Sequence, residues 1–265
     1  MSYKYKTIFS LLVYILSIGL LTLADFIVVS SFSQENIAEW AFYKSLIFIF
    51  GGMCVLGFDQ LLLREIEQYL NFKKQFLIQS LFISFLVSLG LYFYLESYIK
   101  SLLCFFIMFF YSFSLFEAGY WRGKKELLIS QLNTNLWKIC IFIVLSIFTF
   151  FNLSKNILQH YFLAFFISFL ILILINNFCR GKNDIIKNNN KGDKIKYFFL
   201  GVYFFLHSFS LVIANYGEQF LINIFHNKEL SKLIFSYITI YSSLVLAGKT
   251  ISIIINNFKA FNFRG

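Results

Sequence analysis

The sequence predicts an all-α, polytopic membrane protein of about eight transmembrane helices. Three observations lead there. Runs of about twenty nearly charge-free residues recur along the chain, a length that crosses a hydrocarbon core as a helix. Hydrophobic residues make up 59% of the 265 and charged residues only 14%, where soluble domains carry ~25% charged. Phenylalanine alone supplies 38 residues. A water-soluble fold could not hide that much apolar surface, whereas a bilayer solvates it.

The predicted spans are Ile8–Ser30, Ala41–Leu63, Phe76–Leu95, Ile99–Phe116, Thr134–Phe151, Ile157–Phe178, Tyr197–Asn223 and Leu233–Asn256. The first has no small-residue cleavage site after it and is longer than a signal-peptide core, so it is expected to be retained. Every connection is short except Arg180–Lys196, an Asn-rich and basic segment that reads as a linker. The chain thus divides into a six-helix amino-terminal membrane lobe over 1–180, a basic cytoplasmic linker over 181–196, and the first two helices of a second lobe over 197–265. A faint internal repeat lays Asp25 over Glu218, each near the outer end of an odd-numbered span, in the manner of parallel transporter repeats.

The net charge of +10 does not point to nucleic acid, because the lysines and arginines sit in short loops between apolar spans. Sixteen of the 23 fall on one set of alternate loops and four on the other. That asymmetry orients the protein with both termini in the cytoplasm, as expected of a multi-pass protein of the inner (cytoplasmic) membrane. The cysteines (Cys54, Cys104, Cys140 and Cys179) have no metal-ligand spacing and read as free buried thiols. No P-loop, GxSxG or HExxH occurs, and no histidine neighbours a carboxylate or cysteine in the sequence. Catalytic residues, a metal site and a cofactor are therefore not expected, and neither is an enzyme.

Candidate functional residues are the polar groups left inside the spans, since lipid satisfies none of them. On a straight helix, Ser208, Asn215, Glu218, Gln219 and Asn223 share one arc of the seventh span, pointing to other helices or to a wet cavity. The bland reading is a polar seam that glues helices together. Asp25 stands nearly alone, with Thr22 one turn before it; facing Glu218, it could bind a proton or metal cation, or it could simply stay hydrated near the outer interface. Gln131, Thr134, Asn135 and Lys138 follow an i, i+3, i+4, i+7 pattern at the start of the fifth span, either as a basic entrance for a phosphate or as an amphipathic entry turn with Lys138 snorkelling. Lys249 is a cavity candidate two turns inside the eighth span. Lys44 is expected at the outer boundary, and Trp40, Trp121 and Trp137 as interface anchors near span ends.

Several stretches resemble the polysaccharide (O-antigen) flippases of the Wzx type, within the multidrug/oligosaccharidyl-lipid/polysaccharide exporter superfamily. The segment from Asp25 to Ile66 resembles the family's first hairpin, with Gly57, Asp59 and Arg64 in the stretch that ends its second helix. YWRGKKE after the fourth span resembles the loop between helices four and five, and NYGEQFLINIFHNKELSKLIFSYITIYSSLV the hairpin of helices seven and eight, with Glu218 as the membrane acid and Tyr237 after the loop. The outer loop departs from the pattern, with Ala38 and Trp40 where a Gly is usual. Members have twelve or more helices, so the chain reads as a carboxy-terminally truncated form.

The resemblance implies a transporter that flips a lipid-linked oligosaccharide of the undecaprenyl-pyrophosphate type across the membrane by alternating access, for polysaccharide and lipopolysaccharide biosynthesis. Its partners would be that cargo, membrane lipid, and a coupling cation or proton. Lys138, Lys249 and Arg122 would receive the pyrophosphate, and Asp25 and Glu218 would serve ion coupling or sugar contact. The alternatives are a cation-coupled multidrug exporter of the same superfamily, which would want a more acidic cavity, and a non-functional fragment.

Overall fold

A computed structural model describes residues 3–151, 153, 156–180, 194–225 and 229–241. Among them every regular element is helical: α1 (Tyr3–Ser31), α2 (Gln34–Val55), α3 (Phe58–Arg64), a 3-10 turn (Ile66–Gln68), α4 (Tyr69–Leu95), α5 (Tyr98–Gly123), α6 (Leu127–Phe150), α7 (Ile157–Cys179) and α8 (Lys194–Ile224). Residues 229–241 are helical as well. Six of these helices are long and apolar enough to cross a membrane, and α8, bent by 64° between Phe199–Ala214 and Tyr216–Ile224, brings the number up to seven. The protein is a multi-pass, all-helical membrane protein. The expected eighth span runs past Tyr241, outside the described residues, as do most of the basic linker and both chain termini.

Local chemistry sets the helix ends. Ser33, Ser97 and Asn156 cap α2, α5 and α7, their side-chain oxygens accepting from the amides of Asn36, Lys100 and Gln159. The second predicted span, Ala41–Leu63, is corrected: α2 begins at Gln34 and stops at Val55. Leu56 and Gly57 both take positive φ (47° and 74°) there, and the chain restarts as α3. Gly57 is needed for its backbone conformation and because any Cβ would collide with the carbonyl oxygen of Gly201 on α8. The third and fifth spans begin a turn or more earlier than the apolar runs, at Tyr69 and Leu127, because the mixed polar and apolar residues 69–75 and 127–133 continue the helix without needing the hydrocarbon.

Packing is inverted relative to a soluble bundle. Beyond Tyr69, Phe72 and Phe76, the buried stripe of α4 continues as Ser80, Ser84 and Ser88 with Leu91, while Ile78, Phe82, Phe85 and Phe93 are 57–73% exposed. Each serine meets a partner: Ser80 and Ser112 are 2.7 Å apart, Ser84 and Cys54 3.2 Å, Ser88 and Ser101 2.8 Å. Small polar residues let α4 and α5 approach closely, and the apolar side chains are left to lipid. Large aromatics fill the interior instead, with Trp40, Trp137, Tyr43, Tyr161 and Phe165 all buried. α1 packs chiefly along α6, and α8 lies along α2. Cys54, Cys104 and Cys140 are free and buried as expected, but Cys179 is exposed at the end of α7.

Candidate functional site

The site is built where α1, α2, α6 and α7 converge. Asp25, four per cent exposed, is held at both oxygens. Trp40 Nε1 donates to Oδ1 at 2.8 Å, and Lys44 Nζ donates to Oδ2 at 2.6 Å. Trp40 stacks on Tyr161 with centroids 4.4 Å apart, and the Tyr161 hydroxyl donates to the Trp40 carbonyl at 3.4 Å. The indole that orients Asp25 is thus itself clamped by α7. Two expectations are corrected here. Trp40 is no interface anchor, and Lys44 is no boundary residue: it lies halfway along α2, its side chain 14% exposed. Trp121 and Trp137 are buried too, donating to Asn176 Oδ1 at 2.6 Å and to the Thr134 carbonyl at 3.1 Å.

Lys138 joins the cluster from α6. It stands halfway along that helix rather than at its entrance, so neither end of the span is close enough for simple snorkelling. Its Nζ donates to Asn135 Oδ1 at 2.7 Å, and Asn135 Nδ2 donates to Gln131 Oε1 at 2.7 Å. The four-residue pattern seen in the sequence is a hydrogen-bonded ladder along α6. Lys138 also lies 5.9 Å from the centroid of the Trp137 ring and within electrostatic reach of Lys44. Among the described residues, Lys138 forms no ion pair. The site therefore sets two lysines against one carboxylate.

Below the charges lies an aromatic layer. Phe48 stacks on Tyr216 of α8 at 4.5 Å and meets Trp137 edge-on at 5.6 Å, and Trp137 stacks on Phe165 at 4.8 Å. Tyr216 of α8 lies within electrostatic reach of Asp25. Glu218 is exposed on α8. Gln219 is buried, and its Nε2 donates to Ser231 Oγ at 2.8 Å, closing the hairpin between α8 and the 229–241 helix. Asn215 gives its backbone to α8 beside the bend, but its side chain and the whole of Lys249 lie outside the described residues.

A cavity of about 110 Å³ opens beneath this layer, between α2, α3, α5 and α8, lined by Phe48, Gly52, Asp59, Tyr111, Phe205 and Phe209 among others. Gln60 Nε2 donates to Asp59 Oδ2 at 2.9 Å, and Arg122 is the charge nearest in effect to Asp59. Arg122 therefore faces α3 and not the Asp25 site. Arg64 lies 4.8 Å over the Phe204 ring. No three His, Cys, Asp or Glu among the described residues converge as metal ligands.

A second charged cluster escaped the sequence. Glu117, one per cent exposed, accepts from the Tyr69 hydroxyl at 2.7 Å and from Arg180 Nη2 at 2.6 Å, with Lys73 Nζ at 3.7 Å. The apolar run closes at Phe116, so Glu117 reads as a loop residue. Its signal was the unbroken AGYW that follows, which keeps α5 helical and buried through Trp121.

No match decides a family. No family model matches the sequence, and neither a curated protein nor a solved structure is detectably similar to it. What the chain does must be read from its own geometry.

Proposed function

We propose that this membrane protein is a transporter that moves an anionic, lipid-linked cargo across the bilayer, a lipid-linked oligosaccharide being the cargo its sequence resemblance suggests. One observation carries it: halfway along their helices, Lys44 and Lys138 lie within electrostatic reach of each other, and only Lys44 has a carboxylate partner, Asp25. A buried charge without a counter-charge is costly, and ionisable groups at this depth sit on substrate or ion pathways. A site with one cation in excess favours an anionic ligand, and phosphate groups on a lipid carrier are the anions a membrane interior most often has to pass. The aromatic layer of Phe48, Trp137 and Tyr216 walls one side of the site with apolar, polarisable surface.

The bend of α8 beside Tyr216 supports alternating access, since interrupted helices line the sites of many secondary transporters. Arg122 and Lys249 are the further basic groups that such a cargo would recruit, with Asp25 and Glu218 the acids available for coupling. A cation-coupled multidrug exporter is the second reading. The buried Asp25 among aromatics favours it, and the excess of lysine over carboxylate weighs against it.

The test is complementation of a strain whose own lipid-linked oligosaccharide flippase is deleted. Restored surface polysaccharide with this chain, lost again in K138Q at equal membrane abundance, is the expected result. Normal polysaccharide with K138Q would contradict the assignment. Drug resistance without polysaccharide would favour the exporter.

A further inference from the structure

The Asp25–Lys44 pair has a property that a purely structural ion pair would not need. Its carboxylate is gripped at one oxygen by a neutral donor, Trp40, and at the other by Lys44. A second lysine waits within electrostatic reach of the first, bonded only to a neutral amide. An incoming oxyanion that bridged the two lysines would need to displace only one bond, Lys44 to Asp25. The displaced carboxylate would keep its tryptophan donor. An oxyanion carrying two negative charges would also neutralise both lysines, which a single carboxylate does not.

Resting on the anionic-cargo reading above, we infer that Asp25 is a built-in stand-in for the cargo's anionic group: it occupies Lys44 in the empty transporter and is displaced when a phosphate-type oxyanion bridges Lys44 and Lys138. Asp25 is then a competitor of the cargo rather than a contact to it. The device keeps Lys44 from standing unpaired in the bilayer between cargoes, since breaking a buried pair without replacement is strongly unfavourable. It also sets binding to be moderate, so that the cargo can leave. Selectivity follows as well, because a monoanion gains little by exchanging with Asp25, whereas a multiply charged phosphate gains the second lysine.

The direction of one mutation separates this device from a structural role. Removing a contact residue weakens binding, whereas removing a competitor tightens it. The experiment is calorimetric titration of the purified full chain, in nonionic detergent at fixed ionic strength, with inorganic pyrophosphate as the probe. D25N is expected to bind pyrophosphate about tenfold tighter than the unaltered chain, the factor set by one lost charge-assisted contact. K138Q is expected to lose binding in both backgrounds.

W40F, which keeps the aromatic core but removes the donor that the displaced carboxylate relies on, should bind about threefold to tenfold weaker, because Asp25 released from Lys44 would then have no donor at all. It decides the matter if D25N does not fold. Binding that is lost in K138Q yet unchanged or weakened in D25N, or unchanged or tightened in W40F, would overturn the displacement and leave the anionic site standing. No binding by either the unaltered chain or D25N, or binding indifferent to K138Q, would remove the anionic site and the displacement together.

Discussion

Two charged clusters sit inside this bundle, and each sets one acid against two cations. Around Glu117 both cations are paired with the acid, although Arg180 Nε has no hydrogen-bond partner of its own. The carboxylate takes Tyr69, Arg180 and Lys73. The Arg180 guanidinium lies 4.5 and 5.0 Å from the Tyr69 and Tyr120 ring centroids, and Lys73 lies 5.5 Å from that of Tyr69. Around Asp25 the carboxylate is satisfied and one lysine is not, Lys138 having only an amide oxygen. The first cluster joins the ends of α4, α5 and α7; the second lies halfway through the bilayer-crossing part. A closed network fixes a fold, and a network left one charge short awaits something else.

The comparison breaks most readily at Glu117. Glu117→Gln leaves Arg180 and Lys73 without their acid and is expected to cost about 3–5 kcal/mol, read as a large fall in the thermal unfolding midpoint in detergent. A small fall would mean that the cluster is not structural. Asp25→Asn leaves one cation, Lys44, without its acid where Glu117→Gln leaves two, so the expected loss is about 2–4 kcal/mol. A loss exceeding that of Glu117→Gln would reverse the ranking of the two clusters.

Smaller effects sharpen the background. Ser80→Ala breaks the pair with Ser112 on α5 and should cost about 0.6 kcal/mol, the average found for interhelical hydrogen bonds in membranes. Glu218→Gln, on an exposed position, should leave unfolding within about 0.5 kcal/mol of the unaltered chain. If it nonetheless abolished complementation, the acid of α8 would belong to the transport path.

The fold was largely legible because the bilayer writes it in length and polarity. Of the six long spans, α1, α4, α5, α6 and α7 each hold a predicted apolar run to within a residue, and α2 holds the first part of one. What was misplaced depended on tertiary partners. The break at Leu56–Gly57 lies within apolar sequence, and it is the carbonyl of Gly201, far along the chain, that forbids a side chain there. Trp40 reads as an interface anchor until Asp25 is seen fifteen residues away, and Lys44 reads as interfacial for the same reason. The arc drawn through Asn215, Glu218 and Gln219 assumed a straight helix at 100° per residue. A bend of 64° at that point changes the phase, so that Gln219 is buried and Glu218 exposed. Asp25 and Lys138 were each legible as polar groups inside spans, but that both come near Lys44 was not, since nothing in the spacing says that α1 packs along α6.

The most direct test sets one lysine of each cluster against the other. Lys138→Gln and Lys73→Gln are expressed in the flippase-deleted strain, and surface polysaccharide is scored per molecule of folded protein in the membrane. Lys138→Gln should leave stability unchanged or raise it by about 1 kcal/mol, since it removes an uncompensated buried charge, yet lower polysaccharide at least about tenfold. Lys73→Gln should lower stability and leave output per folded molecule unchanged. The reverse pattern, with Lys138→Gln unfolding the chain and Lys73→Gln silencing it, would contradict the division of the two clusters into site and scaffold.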